Sequence, residues 1–198
     1  MTPTSKGEIR DTALKARKEL SHEELLELSN AVMKNVISSS EYKNSKVVAT
    51  YVAKRDEVKT EGIIRHSLKL GKRVLVPVSH PESTNLVFSE IGDYERELAP
   101  GHFGVPEPIN QYLRPVPLND ADLILVPLIA WDDRGYRLGY GKGYFDSALA
   151  GVAVSSVTMG LGLEYQHVKK IPEEKHDVPL KAVATERRIV RIDREEKD

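Results

Sequence analysis

Apolar positions recur along this chain at two spacings, and the change from one to the other divides it. Between 21 and 38, Leu25, Leu28, Val32 and Val36 repeat at intervals of three and four, which places them on one helix face. Ser21 with Glu24 fits a capping box at the start of that helix. Ser5 with Glu8 fits another, opening a helix that runs to about Leu20. This first helix carries an apolar strip of Ile9, Ala13, Ala16 and Leu20, with Lys6, Arg10 and Arg17 beside it. Cations at the edge of a buried face could reach a ligand on the sheet, or form only a snorkelling, solvated edge.

Beyond 45 the pattern shifts to short β-branched and aliphatic runs. Strands are predicted over 47–53, 73–78, 86–91, 123–128 and 154–159, with a weaker pair at 182–185 and 188–192. A helical stretch ended by Gly71 separates the first two. The alternation predicts a three-layer α/β fold, a mostly parallel, open, Rossmann-like sheet with helices on both faces, entered by two N-terminal helices. An antiparallel addition fits at the C-terminal end. Eight of the eleven prolines lie between 77 and 127, and 99–117 reads as an irregular connection, either a binding loop or a surface crossing. Residues 1–192 are expected to form one domain and 193–198 a charged, frayed tail.

Composition narrows the chemistry. At 198 residues the chain can bury roughly 70% of its unfolded surface without staples. A net charge of −1, from 29 basic and 30 acidic residues spread throughout, makes no global case for nucleic acid or membrane. Zero cysteines exclude disulfides, thiol nucleophiles and thiolate-held metal, and fit a reducing cytoplasm. No leader and no apolar run near ~20 residues is visible, so a soluble protein is expected.

The densest chemistry lies in 137–146, where Gly139, Gly141 and Gly143 alternate with Arg137, Tyr140, Lys142 and Tyr144 ahead of Asp146. Glycines bring backbone N–H groups close to an oxyanion, cations add charge, and a carboxylate offers a place for metal. A nucleotide polyphosphate suits that set; a plain turn into a helix is the bland alternative. It is neither a Walker loop, since Gly follows Lys142, nor a dinucleotide fingerprint, given the glycine spacing. Other polar groups stand just past the predicted strands: Asp56 and Glu57, Trp131 and Asp132, then Gly160, Gly162 and Glu164. His176-Asp177 could ligate metal or form a turn. The remaining histidines are dispersed, without H-E-x-x-H spacing, and no Gly-x-Ser-x-Gly elbow exists, which disfavours zinc and serine hydrolysis.

Together these segments resemble the 5-formyltetrahydrofolate cyclo-ligase family over nearly the whole chain. The resemblance rests on Lys6-x-x-x-Arg10, Asp56-Glu57-Val58-x-Thr60, Gly104 to Pro108, Pro127 through Asp146, and His176-Asp177 ahead of Ala184-Thr185-Glu186. It implies ATP- and Mg²⁺-dependent closure of 5-formyltetrahydrofolate to 5,10-methenyltetrahydrofolate, with release of ADP and phosphate. By position, it implies that Lys6, Arg10, Arg137, Gly139, Tyr140, Gly141, Lys142, Gly143 and Tyr144 hold ATP. Lys142 and Arg137 would stand at the transferred phosphoryl group. Val52, Glu57, Phe103, Tyr140 and Tyr144 would hold the folate, and Asp146 and Asp177 the Mg²⁺. Small molecules are the expected partners of a monomer or small homo-oligomer. Phe145, Lys181 with Ala182, and Trp131 depart from the family's commoner residues. A relative acting on another formylated pterin or amide, or a non-catalytic nucleotide-binding module, stays open at this point.

Overall fold

The computed structural model describes residues 5–78, 86–101 and 104–193; of the expected tail, only Asp193 falls within them. Both capping boxes form. The Ser5 hydroxyl accepts from the Glu8 amide and the Glu8 carboxylate from the Ser5 amide, each at 3.2 Å, opening α1 (Lys6–Glu19). Ser21 and Glu24 repeat this at 3.1 and 2.8 Å to open α2 (His22–Ser38). The chain continues through α3 (Ser40–Asn44), β1 (Val47–Thr50), α4 (Glu61–Lys69), β2 (Arg73–Val78), β3 (Val87–Ile91) and α5 (Tyr94–Glu97). Next come β4 (Leu98–Pro100), β5 (Pro106–Pro108), β6 (Pro115–Val116), β7 (Leu123–Pro127), β8 (Ala130–Trp131) and β9 (Arg137–Leu138). The last elements are α6 (Tyr144–Leu149), β10 (Val157–Leu161), β11 (Ala182–Ala184) and β12 (Ile189–Arg191).

Eight strands form one sheet in the order β12-β11-β10-β7-β1-β2-β3-β6. The five from β11 to β2 are parallel, and β12, β3 and β6 are antiparallel additions at the two sides. Alternate residues of the central strands face opposite ways. Val48, Leu123 and Leu125 meet Leu25, Val32 and Val36 of α2, Tyr42 of α3 and Ile63 of α4. On the reverse face Ala49, Ile124 and Val126 pack with Leu149 of α6, Trp131, Leu180 and Val183. The fold class read from the sequence therefore holds, with one layer built mainly of loops around the short α6. No helix among the described residues is long and apolar enough to cross a membrane.

Three expectations need correcting. β1 stops at Thr50 rather than 53, because the Tyr51 carbonyl is taken by the Thr60 hydroxyl at 2.7 Å instead of a neighbouring strand. The strand expected over 154–159 begins at Val157; Val154 is 87% exposed, in a turn where Lys181 Nζ caps the carbonyls of Val154 and Ser156. The 99–117 stretch holds a small β4–β5 hairpin and β6, so it is not wholly irregular.

α1 lies off the main sheet, with Ile9 and Ala13 packed on Ile129, Ala130, Leu138 and Ile171 around the β8–β9 hairpin. That seat carries its basic face to the chain just beyond β7. The hairpin turn needs Gly135, whose φ is +82° and whose added Cβ would stand 2.4 Å from the Leu180 carbonyl oxygen. Backbone cannot yield as a side chain can. Gly135→Ala is expected to cost about 3 kcal/mol of stability, read as a lowered denaturant midpoint.

Candidate functional site

In an open parallel sheet, ligands sit beyond the carboxyl ends of the strands, where loops from several strands meet. Here the loop after β1, the segment from β7 to α6, and the return toward β11 converge with α1. The β8–β9 hairpin is braced by Asp132, a fully buried carboxylate. Its Oδ1 accepts from the amides of Arg134 (3.0 Å) and Tyr136 (3.1 Å), and its Oδ2 from the Ile171 amide (2.9 Å) and Arg134 Nη2 (2.9 Å). Saturated in this way, Asp132 is scaffold. Trp131 beside it is equally buried, its Nε1 donating to the Leu163 carbonyl at 3.4 Å, so its greater size is used in packing.

The glycine segment leaves β9 with its backbone in left-handed territory at Gly141 (φ +90°) and Gly143 (φ +69°). Tyr140 and Lys142 are exposed on it, and Tyr144 is half-buried. Arg10 Nε donates to the Gly139 carbonyl at 2.9 Å, tying α1 to the loop. α6 has only six residues, too few for its N-terminus to add much to anion binding. Phe145, which follows Tyr144, is partly buried and packs against both main cores.

Beneath the loop, Arg137 is not offered to solvent: its side chain is 3% exposed. Nη1 donates to the Val178 carbonyl at 2.7 Å, and Nη2 stands 3.1 Å from Asp146 Oδ1. Burial pulls the Arg137 pKa down, against the pull of Asp146. The Val178 amide also reaches Asp146 Oδ1, at 3.3 Å, so Asp146 is held next to the residue that follows Asp177. Asp177 Oδ2 accepts from Lys6 Nζ at 2.6 Å and from the Glu174 amide at 2.8 Å. Partial burial works against ionisation of Asp177, but Lys6 and that amide overcome it, and its pKa lies below the ordinary aspartate value. Lys6 also reaches Glu174 at 3.0 Å. Ligand atoms of Glu174, His176 and Asp177 lie within 4.8 Å of one another. Lys181, by contrast, caps the turn before β10, so that departure does not alter the Asp177 surroundings.

A second group of residues faces the loop after β1. Glu57 is 6% exposed and accepts from the Lys54 amide at 2.8 Å. Burial raises its pKa, offset only in part by that amide. The Tyr140 hydroxyl donates to Asp56 at 3.2 Å, while Lys54 Nζ lies 4.5 Å from the centre of its ring. Burial, then the charge of Glu57, push the Tyr140 pKa to about 12, against Arg17. Val52 is buried in a small core with Ile64, Val74, Val76 and Ile91. Phe103 lies outside the described residues. A groove of about 510 Å³ borders the loop after β1, between its Ala53, Lys59 and Thr60, Leu26 and Met33 of α2, and Arg65 and Tyr94.

Two participants escaped the sequence reading. Arg17 was placed at a solvated edge, yet it is 6% exposed and reaches both Asp56 and Tyr140. Its signal was available: Ile9, Ala13 and Arg17 follow at intervals of four, so the cation stands on the buried stripe itself. Glu174, the second partner of Lys6, carried no comparable signal. Gly160, Gly162 and Glu164 are not drawn into the site. A Cβ on either glycine would stand 2.7 Å from a Leu128 methyl, and Glu164 is occupied by Arg188 and Thr185.

Comparison with known proteins bears on this arrangement. The sequence model of the 5-formyltetrahydrofolate cyclo-ligase family matches residues 2–186. The chain belongs to that family. It is 33% identical over 179 residues to the mouse 5-formyltetrahydrofolate cyclo-ligase, covering 84% of this chain and 86% of the mouse one. It is 28% identical to the Haemophilus influenzae cyclo-ligase, covering 91% and 97%. The NMR structure of Aquifex aeolicus 5,10-methenyltetrahydrofolate synthetase superposes with a TM-score of 0.83 at 32% identity, covering 98% of this chain and 95% of that one. The match takes in α1, the Glu57 loop, the glycine segment and Asp177, so the site described here lies wholly within the cyclo-ligase region.

The buried Glu57 of this cyclo-ligase has a measurable signature. It binds its proton more tightly folded than unfolded, so its ionised form costs stability at neutral pH. That cost vanishes as the pH falls through its folded pKa toward its unfolded value near 4.5. Glu57→Gln should therefore melt above the wild type at pH 7 and lose that advantage by pH 4.5, measured by circular dichroism.

Proposed function

We propose that the protein converts 5-formyltetrahydrofolate to 5,10-methenyltetrahydrofolate, using ATP with Mg²⁺ and releasing ADP and phosphate, as a monomer or small homo-oligomer of the cytoplasm. Family membership supports the substrate class. The observation that carries the reading is the meeting of Lys6 with Asp177, near the Arg137–Asp146 pair, on a helix whose Arg10 is bonded to the glycine loop. This gathers phosphate-binding cations and metal-binding carboxylates next to the partly separate group around Glu57.

A formamide oxygen is a poor leaving group. In the proposed sequence it attacks the γ-phosphorus of ATP, forming an O–P bond as the bond to ADP breaks and leaving an N5-iminium phosphate. N10 then adds to the activated carbon and loses its proton, and the C–O bond breaks to release phosphate. Such a transfer needs positioning and charge neutralisation more than covalent help. Lys6, Arg10 and the backbone from Gly139 to Gly143 bind the phosphates, and Lys142 offsets charge on the moving phosphoryl group. Glu57 accepts from pterin N–H groups, with Val52, Phe103, Tyr140 and Tyr144 as walls. Arg137, given its burial, serves from below by bracing Asp146 rather than by wrapping the triphosphate.

Asp146 and Asp177 would hold the Mg²⁺, a hard ion that favours carboxylate oxygens; Glu174 and His176 also lie within reach of Asp177. When bound, it would neutralise phosphate charge. Lys6 already supplies one positive charge at Asp177, so the carboxylate is kept ionised for a cation.

The test follows methenyltetrahydrofolate absorbance from 5-formyltetrahydrofolate with ATP and Mg²⁺. Product should require both, and Lys142→Ala should lower kcat/KM by roughly 10²- to 10³-fold. No product from a folded protein that binds ATP would shift the assignment to another formylated pterin or amide.

A further inference from the structure

Arg17 brings together segments that the chain keeps far apart, and the Tyr165 hydroxyl beyond β10 also interacts with it. Its Nη2 donates to the Leu128 carbonyl at the end of β7, at 2.8 Å. Its Nη1 donates to the Tyr140 hydroxyl at 3.2 Å and lies 3.5 Å from Asp56 Oδ2. Tyr140 closes the triangle by donating to Asp56. The guanidinium is 5% exposed, whereas the Asp56 side chain is 48% exposed and Tyr140 44%. A purely stabilising buried charge is usually met by buried partners. Here a rigid, core-anchored donor reaches outward to hold two groups on open loops, one from each half of the site.

Arg10 grips the adjacent residue of the same loop, at the Gly139 carbonyl. Past these two contacts a Cβ at Gly143 would meet no atom within 4 Å, whereas one at Gly141 would meet the Arg10 guanidinium at 3.4 Å.

We propose that Arg17 is a positioning residue that clamps Tyr140 to Asp56, holding the glycine loop against the Glu57 loop so that the nucleotide and pterin halves assemble as one site. What the halves bind rests on the function proposed above; the clamp rests on the geometry. Arg17 acts through Tyr140, and a planar fork anchored on a backbone carbonyl is suited to serve two further acceptors at once.

The test uses the whole protein without ligands and reads trypsin cleavage after the exposed Lys142, alongside steady-state kinetics. Losing a charge-assisted hydrogen bond should free the loop, so Arg17→Met is expected to speed cleavage roughly tenfold. KM for ATP and for 5-formyltetrahydrofolate should rise together by a similar factor, with kcat changed about twofold at most. Arg17→Lys, which keeps the charge without the fork, should fall between wild type and Arg17→Met. In cleavage rate Tyr140→Phe should match Arg17→Met, and the double variant should be cleaved no faster than either single one. Lowered melting temperatures with unchanged Lys142 cleavage and unchanged KM values would reduce Arg17 to a packing residue and overturn the clamp. Should Arg17→Met not fold, Tyr140→Phe decides alone, since it removes one exposed hydroxyl, and unchanged cleavage there is equally fatal. A wild type that does not turn over 5-formyltetrahydrofolate would refute the proposed reaction while leaving the cleavage result to judge the clamp.

Discussion

A guanidinium with 3% of its side chain exposed must find its partners inside the protein, and Arg137 is the point around which this site is organised. Arg137 begins β9, Asp146 lies in α6, and Val178 belongs to the return toward β11. No local sequence feature links these three. Burying one charge obliges them to meet, and the meeting sets Asp146 beside the segment that carries Asp177. The cost of desolvating Arg137 is visible in its lowered pKa, and it is offset by one carboxylate and one carbonyl.

The architecture was legible because it follows from local rules. Capping residues start α1 and α2 where the pattern says, and alternation on β7 sends Ile124 and Val126 to one face and Leu123 and Leu125 to the other. Boundaries failed where side chains or turns competed for backbone groups, as Thr60 does for the Tyr51 carbonyl and Lys181 for the turn at Val154. An apolar residue such as Val154 can belong to an apolar run in sequence yet lie on the surface, since periodicity records composition and not hydrogen bonding.

Residue types in the site were legible too; their attitudes were not. Sequence put Arg137 and Lys142 in one class as loop cations, but Arg137 faces inward and Lys142 lies on an exposed loop. Likewise Arg17 looked like an edge cation and proved to be an internal strut, while Lys6 faces Asp177 rather than open solvent. Side-chain direction depends on which distant segment supplies a partner, and that information appears only when the chain is folded. The charges of the site are thus largely met within the protein, while burial raises the Glu57 pKa.

The margins of the main sheet bear on how the chain behaves among its copies. At one side β6 is two residues long, and Pro115 within it lacks an N–H to donate. At the other, β12 spans three residues and Arg191 is drawn back onto Glu41 at 2.7 Å. Neither border offers an incoming strand a run of open donors and acceptors, so edge-to-edge growth is checked at both ends of an eight-stranded sheet. Resistance to misassembly is therefore written into its two outer strands.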